Sequence, residues 1–252
     1  MSRLLTQDHA SAGTDCDPGG ACESPRSSQR VAVPAYLQKI YWWAYVHPNA
    51  VRFFEREWLV NLILFGNYRR LRDIALADLV QAPQGRTLQV ACVYGDLTPR
   101  LHTALDGKGE LHVVDVLPVQ LANLRRKLPS KSGVTLWQRD SAAMGFPDAS
   151  FNQVLMFFLL HEQPEAVRRR TLAEACRVVK PGGKIVIVDY HQPSRWNPLG
   201  LPLQILLRRL EPYARDLFSN ELESFLPEDV KLAGMQKDFF YGGLYQKVVL
   251  TR

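Results

Sequence analysis

Eight side chains of this 252-residue chain are of types that hold charge or move protons, and each follows an apolar run: Tyr94 and Asp96, Asp115, Asp140, His161 and Glu162, Asp189 and His191. Ligands of an open parallel sheet bind just beyond the carboxyl ends of its strands, so these are positions where chemistry belongs. The group is mostly acidic although the chain carries a formal charge of +6. Such a cluster suits a cationic cofactor, and its carboxylates and imidazoles could also ligate a hard divalent metal. His161 reads either as a substrate-facing group or as a satisfied structural histidine, and Glu162 also reads as a cap for a helix beginning near Pro164.

The first of these positions falls in a turn of unusual composition. Leu88-Gln89-Val90-Ala91-Cys92-Val93-Tyr94-Gly95-Asp96 follows Gly85-Arg86, starts like a buried strand and leads into a helix. A nucleotide-binding turn places Gly-x-Gly-x-Gly there, because glycine lets the backbone come close to the cofactor. Only Gly95 remains. Ala91 and Val93 stand where the first two glycines would, and Gln89 where a carboxylate often stands. The bulk of Val93 and Tyr94 predicts a cofactor end that is displaced or rotated.

The elements that must hold these residues alternate. Strand-like runs at 87–93, 110–115, 135–139, 153–158 and 184–189 are separated by helical segments, and 164–179 reads as a helix ended by Lys180-Pro181-Gly182-Gly183. Residues 235–240 and 244–250 form a hairpin across Gly242-Gly243. The pattern predicts an α/β, Rossmann-like, mostly parallel seven-stranded sheet with a C-terminal antiparallel hairpin.

Several of these motifs carry a resemblance. The turn at 88–96, Asp115 closing the strand 111–115, Asp140-Ser141-Ala142-Ala143 with 146–152, and Arg177-Val178-Val179-Lys180-Pro181-Gly182-Gly183-Lys184 resemble class I S-adenosylmethionine-dependent methyltransferases, in particular the ubiquinone and menaquinone C-methyltransferases, over about residues 85–190. A narrower resemblance runs from about Tyr36 to the end. It rests on 93–100, on Phe157-Phe158-Leu159-Leu160-His161-Glu162, on Asp189-Tyr190-His191 and on 240–247, and it is to the rhodoquinone biosynthesis methyltransferase-like proteins. That resemblance implies conversion of ubiquinone to rhodoquinone, with S-adenosylmethionine as amino donor and Mn2+ as metal. It implies cofactor contacts at Val93, Tyr94, Gly95, Asp96, Asp115, Val116, Asp140, Ser141 and Phe157, with Asp115 on the ribose, Asp140-Ser141 at the adenine amine and Met144 and Phe146 against the adenine. Tyr94, His161 and His191 are the candidate catalytic residues; His161, Asp189 and His191 are the candidate metal ligands, at a spacing that is no known metal signature. Two other readings stay open: an ordinary methyltransferase acting on a quinone or other lipophilic molecule, and a cofactor-binding module without activity.

Composition limits the rest. The chain is 46% hydrophobic and 22% charged, ordinary for a globular protein. Residues 1–34 are expected to be a disordered tail, without the apolar or Arg-rich pattern of a targeting peptide. Cys16 and Cys22 in that tail match no zinc spacing, and Cys92 reads as a core residue. Residues 35–84 are dense in aromatics, from Tyr36, Tyr41, Trp42, Trp43 and Tyr45 to Phe53, Phe54, Trp58, Phe65 and Tyr68, and read as packing against the sheet, as a lid, or both. Residues 85–252 are the cofactor-binding domain, with 190–226 inserted toward substrate or membrane.

Basic residues concentrate between 166 and 215, which suits an anionic bilayer; no nucleic-acid motif is present, and Arg168-Arg169-Arg170 reads as a solvated face. The segment 201–210, ending near Arg208 and Arg209, reads either as a buried helix or as an interfacial one. The longest apolar run, 58–65, is too short to span a bilayer. The expected location is the cytoplasm or the cytoplasmic face of the inner membrane, where a ubiquinone substrate would be met. Nothing in the sequence sets the oligomeric state.

Overall fold

The computed structural model describes residues 31–42 and 47–252. Residues 1–30 of the expected tail, with Cys16 and Cys22, lie outside the described residues, as do Trp43 and Tyr45 of the aromatic segment. Residues 31–34 are described, and there Val33 packs beside Leu37 and Tyr41 while its carbonyl accepts from Gln38 Nε2 at 2.7 Å.

Seven strands form one sheet: β1 (Gly85–Val90), β2 (Gly109–Asp115), β3 (Thr135–Gln138), β4 (Phe151–Phe157), β5 (Val179–Tyr190), β6 (Gly234–Phe240) and β7 (Tyr245–Thr251), in the order β3-β2-β1-β4-β5-β7-β6. The pairs among β1 to β5 are parallel, whereas β7 runs antiparallel to both β5 and β6. The chain moves outward through β1, β2 and β3, then returns to place β4 on the other side of β1. The crevice at that reversal is where an open sheet binds its ligand.

Helices cover both faces: α1 (Ala35–Lys39), α2 (Pro48–Phe54), α3 (Glu57–Ile63), α4 (Tyr68–Leu79), α5 (Leu97–Leu105), α6 (Pro118–Lys127), α7 (Glu165–Val178), α8 (Gly200–Leu210) and α9 (Ala214–Ser219). The two-residue period of the strands divides the core. Leu155, Phe157, Val186 and Val188 join Leu71 and Ala75 of α4 and Leu101 of α5 in one cluster, while Val154, Met156, Ile185 and Ile187 join Leu172 and Ala175 of α7 in the other.

Three expected boundaries move. β1 stops at Val90 and not at 93, because Ala91 turns into the left-handed region at φ 71°. β4 stops at Phe157, with Phe158 at φ 52°. Lys180-Pro181-Gly182-Gly183, expected only to end a helix, lies inside β5, whose first residue Val179 pairs with Phe151. The hairpin closes where expected, at Gly242 and Gly243 with φ of 63° and 83°. Asn197 Nδ2 donates to Tyr241 O at 2.7 Å, so the insertion after β5 is tied to that hairpin, and a Cβ on Gly242 would lie 2.7 Å from the same nitrogen.

The aromatic segment divides between core and surface. Tyr41 and Tyr68 are buried, Tyr36 and Phe54 are half-buried, and Trp42, Phe53 and Trp58 are exposed.

Candidate active site

The altered turn is held in place by side chains that the sequence reading did not connect. Ala91 takes a left-handed conformation that glycine adopts freely and that costs other residues about 1–2 kcal/mol. Two bonds hold it there: Ala91 N donates to Val114 O at 2.8 Å, and Gln89 Nε2 donates to Ala91 O at 3.0 Å. Gln89 in turn accepts from Thr98 Oγ1 at 2.9 Å. Gly95 has φ 83°, and a Cβ there would come 2.5 Å from the Tyr68 hydroxyl, so its retention has two independent steric causes. That hydroxyl accepts from Asp96 N at 2.9 Å and Leu97 N at 3.1 Å, capping α5 as a serine or aspartate would from closer by.

Behind the turn, Glu55 accepts from Gly95 N at 3.1 Å, and Lys127 Nζ donates to Glu55 Oε1 at 2.7 Å, Gly95 O at 2.8 Å and Val93 O at 3.3 Å. The Tyr94 hydroxyl accepts from Gln120 Nε2 at 2.9 Å, and its ring stacks on Phe54.

Asp96 was expected at the cofactor; the structure places it in an ion-pair cluster outside the cavity, with Arg72 at 2.6 Å and Arg100 at 2.5 Å. Burial works against the Asp96 charge, but the two arginines prevail and hold its carboxyl below the usual range. Gly95 likewise shapes the turn from outside the cavity lining.

Asp115 closes β2 and lies at the cavity wall, nearly buried. Its two oxygens accept from Cys92 N at 2.7 Å and Leu117 N at 2.8 Å. Burial raises this carboxyl and the backbone N–H groups oppose it, for a pKa of about 6. Val93, Tyr94, Val116, Asp140, Ser141 and Phe157 line the same cavity. Asp140 Oδ1 accepts from Ala142 N at 2.8 Å, and Ser141 Oγ lies 3.0 Å from both Thr171 Oγ1 and Gln163 Nε2. Met144 and Phe146, expected against the adenine, are instead core residues outside the lining; Phe146 packs edge-on against Phe151 at 4.9 Å.

His161 also lines the cavity, on a short 3-10 turn at Leu160–Glu162. Its Nδ1 is 2.8 Å from Asp189 Oδ1. Asp189 is fully buried and also accepts from Leu160 N at 2.8 Å, His161 N at 3.3 Å and Tyr190 N at 2.7 Å. Burial opposes a charge on His161, but Asp189 outweighs it, with help from Glu211 and Glu162, and raises the imidazole pKa to about 9. Arg168 sets the height of this turn. It is fully buried, not solvated as its neighbours suggested, and donates to Leu160 O at 2.8 Å and to Gln163 O and Tyr213 O at 2.9 Å.

The expected metal set does not assemble. Asp189 spends both oxygens on protein donors, and His191 turns away, its Nδ1 3.1 Å from Gly243 O and its ring on Phe239 at 4.5 Å. Among the described residues no three His, Cys, Asp or Glu side chains are grouped as a metal would need. His191 is also absent from the cavity lining.

Asp115, Asp140 and His161 share one cavity of about 520 Å³. All three line it, together with apolar side chains from α3 (Leu59, Val60, Ile63) and α8 (Leu203, Leu207). Glu211, just past α8, also lines it; burial pushes its carboxyl up while His161 pulls it down. The sequence offered one sign of Glu211, as the first acid after a 20-residue stretch, 191–210, that has none.

Comparison with known proteins agrees with this geometry. Residues 87–183 match the family described as methyltransferase domain. The demethylmenaquinone methyltransferase of Bacillus licheniformis is 33% identical over 138 residues, 54% of this chain and 58% of that protein. The ubiquinone/menaquinone biosynthesis C-methyltransferase UbiE of Burkholderia mallei is 27% identical over 175 residues, 68% of this chain and 70% of the relative. The crystal structure of the N-methyltransferase NodS of Bradyrhizobium japonicum with S-adenosyl-L-homocysteine superimposes with a TM-score of 0.57 at 12% identity, covering 80% of this chain and 96% of that one, a likeness of fold. The chain spans 58% of the length of the Bacillus relative; its strand order is that of a Rossmann-like methyltransferase fold, and residues 87–183 are similar to methyltransferase domains, among them those of the quinone C-methyltransferases.

Proposed function

We propose that the chain is an S-adenosylmethionine-dependent transferase acting on the ring of a lipid-tailed quinone. The observation that carries this is one cavity lined by Asp115, Asp140 and His161 together with apolar side chains of α3 and α8. Bound S-adenosylmethionine would supply the group transferred. Asp115 fits its ribose: a carboxylate closing β2 at the cavity wall has acceptor capacity beyond its two backbone bonds. Asp140 and Ser141 fit the base. His161, kept charged by Asp189, would donate to a ring oxygen and draw electron density toward it, and Glu211 would share that proton. The apolar walls exclude water and strengthen each of these interactions. A quinone with a long tail stays in the bilayer, which puts the reaction at a membrane surface, on its cytoplasmic side.

The turn favours a particular transfer, exchange of a ring methoxy for an amino group, which would convert ubiquinone to rhodoquinone. Its Gly95 N–H and its Val93 and Gly95 carbonyls are engaged by Glu55 and Lys127, and Val93 and Tyr94 fill space that glycines would leave open. The amino-acid end of the cofactor is then left free to turn its amine toward the ring. A carbon bearing methoxy and conjugated to a carbonyl accepts such a nucleophile. A C–N bond would form, the ring C–O bond to methoxy would break, and methoxide would leave as methanol with a proton from the amine, while His161 would stabilise the charge that builds on the ring oxygen. The nitrogen is then still bonded to the cofactor's methionyl carbon, and a free amino group requires a separate cleavage of that bond. Among the described residues, His161, Asp189 and His191 do not come together as a site for Mn2+. The test is product mass. Purified protein is given S-adenosylmethionine with ubiquinone, and separately with a ring-demethylated quinol. A lighter quinone from the first supports the exchange, a heavier product from the second supports methylation, and no product from either would overturn the quinone reading.

A further inference from the structure

Two helices of the cavity wall are apolar on both sides. On α8, Leu203 and Leu207 line the cavity, while Leu201 and Ile205 point outward at 68% and 53% exposure, followed one turn later by exposed Arg209. On α3, Leu59, Val60 and Ile63 line it, while Trp58 and Leu62 are 58% and 63% exposed. A helix that meets water on its outer side carries polar residues there. Exposed apolar residues continue on the flanks, at Phe53 of α2 and Trp196 before α8.

The charges beside this surface indicate what it meets. Arg52, Arg56, Arg195 and Arg209 are exposed, and none forms an ion pair with a described residue. The acids nearest Arg52 and Arg56 are already taken, Glu55 by Lys127 and Glu57 by Arg69; the stretch 191–210 contains none, and Glu211 beyond Arg209 is turned into the cavity lining. The side chain of Arg208 lies outside the described set. Leucines and tryptophans rimmed by unpaired arginines match the boundary between acyl chains and anionic headgroups. A second copy of the chain would fit less well, because it would set arginines against arginines. At 7 and 11 residues the two helices cannot cross a bilayer, and none of the described helices is long and apolar enough to do so.

We propose that the outer faces of α3 and α8 enter the interface of an anionic bilayer. The cavity they wall on their inner sides then opens to the acyl layer, and a lipid-tailed ring reaches His161 without crossing water. The docking surface stands on exposure and charge alone; only the identity of what passes through rests on the quinone reading.

The test uses the full chain with vesicles of phosphatidylcholine, alone or mixed with phosphatidylglycerol, in co-sedimentation. Binding should favour the mixed vesicles. Each basic side chain near an anionic surface counts for about fivefold, so Arg195→Gln with Arg209→Gln should lower it about 30-fold. Leu201→Ser with Ile205→Ser should also release the protein. Turnover of a short-chain, water-soluble quinone should be the same in both variants and the parent. Equal binding to neutral and mixed vesicles overturns the proposal, and so does a dimer that the serine variant dissociates. Vesicle binding with no quinone turned over leaves the docking surface standing and removes the substrate reading; turnover of the soluble quinone without vesicle binding does the reverse.

Discussion

Replacing Lys127 by methionine removes the cation that holds the cofactor turn from behind. Its ammonium donates to Glu55, Gly95 O and Val93 O at 2.7, 2.8 and 3.3 Å. Methionine keeps most of the packing of the stem, so the loss is chiefly of charge-assisted bonds. An exposed ion pair contributes at most about 1 kcal/mol, and breaking a fully buried one costs about 3–5 kcal/mol. The two side chains are 17% and 21% exposed, between those limits. Glu55 would retain donors in Asn123 and Gly95 N, which reduces the penalty of leaving its carboxylate behind. The expected loss is about 2 kcal/mol of unfolding free energy, read from urea denaturation. Combined with Glu55→Gln in a double-mutant cycle, the coupling should reach about 1 kcal/mol. Calorimetry should show weaker S-adenosylmethionine binding, since the turn then relaxes. An unchanged unfolding midpoint with a coupling near zero would refute the claim that this pair shapes the turn.

Asp115→Ala should weaken S-adenosylmethionine binding by about 1–3 kcal/mol, because ribose hydroxyls lose their acceptor; equal affinity in calorimetry would move the cofactor elsewhere. His161 should make stability pH-dependent. Its folded pKa of about 9 lies above the ordinary 6.5, so the stabilisation is complete below pH 6.5 and lost as pH rises through 9. Urea unfolding across that window should decline in the parent and flatten in His161→Gln, and parallel curves would contradict the charged imidazole. Ala91→Gly should relieve about 1 kcal/mol of left-handed strain, while Ala91→Gly with Val93→Gly should reduce amino-quinone formation, followed by extracting quinones from expressing cells. Undiminished amino-quinone from the double variant would show that the turn does not select the transfer.

Local patterning showed most of the fold: the period-two strands, the helix over 164–179 and the Gly242-Gly243 hairpin all follow from residues adjacent in sequence. It also placed Asp115, Asp140 and His161 at strand ends. What it missed depends on partners far along the chain. Asp96 looked like a ligand contact because nothing nearby shows that Arg72, 24 residues earlier, occupies it. Arg168 looked solvated beside two other arginines, yet one residue in a helical turn can face inward while the next faces out. His161, Asp189 and His191 looked like metal ligands until the backbone N–H groups around Asp189 were visible. The outer faces of α3 and α8 could not be told from core by hydrophobicity alone.

The Tyr68 hydroxyl that caps α5 and the Glu55 carboxylate that accepts from Gly95 both belong to the segment before β1, whose helix α3 lines the cavity. That segment is therefore not an independent flap. If the cavity takes a substrate ring beside a nucleoside cofactor, a displacement of α3 that admits the one also perturbs the backbone that the other meets at the turn after β1, and the disturbance runs equally in the other direction. Such a connection is a thermodynamic linkage: whatever factor the bound nucleoside adds to the affinity for the ring, the ring must return to the nucleoside.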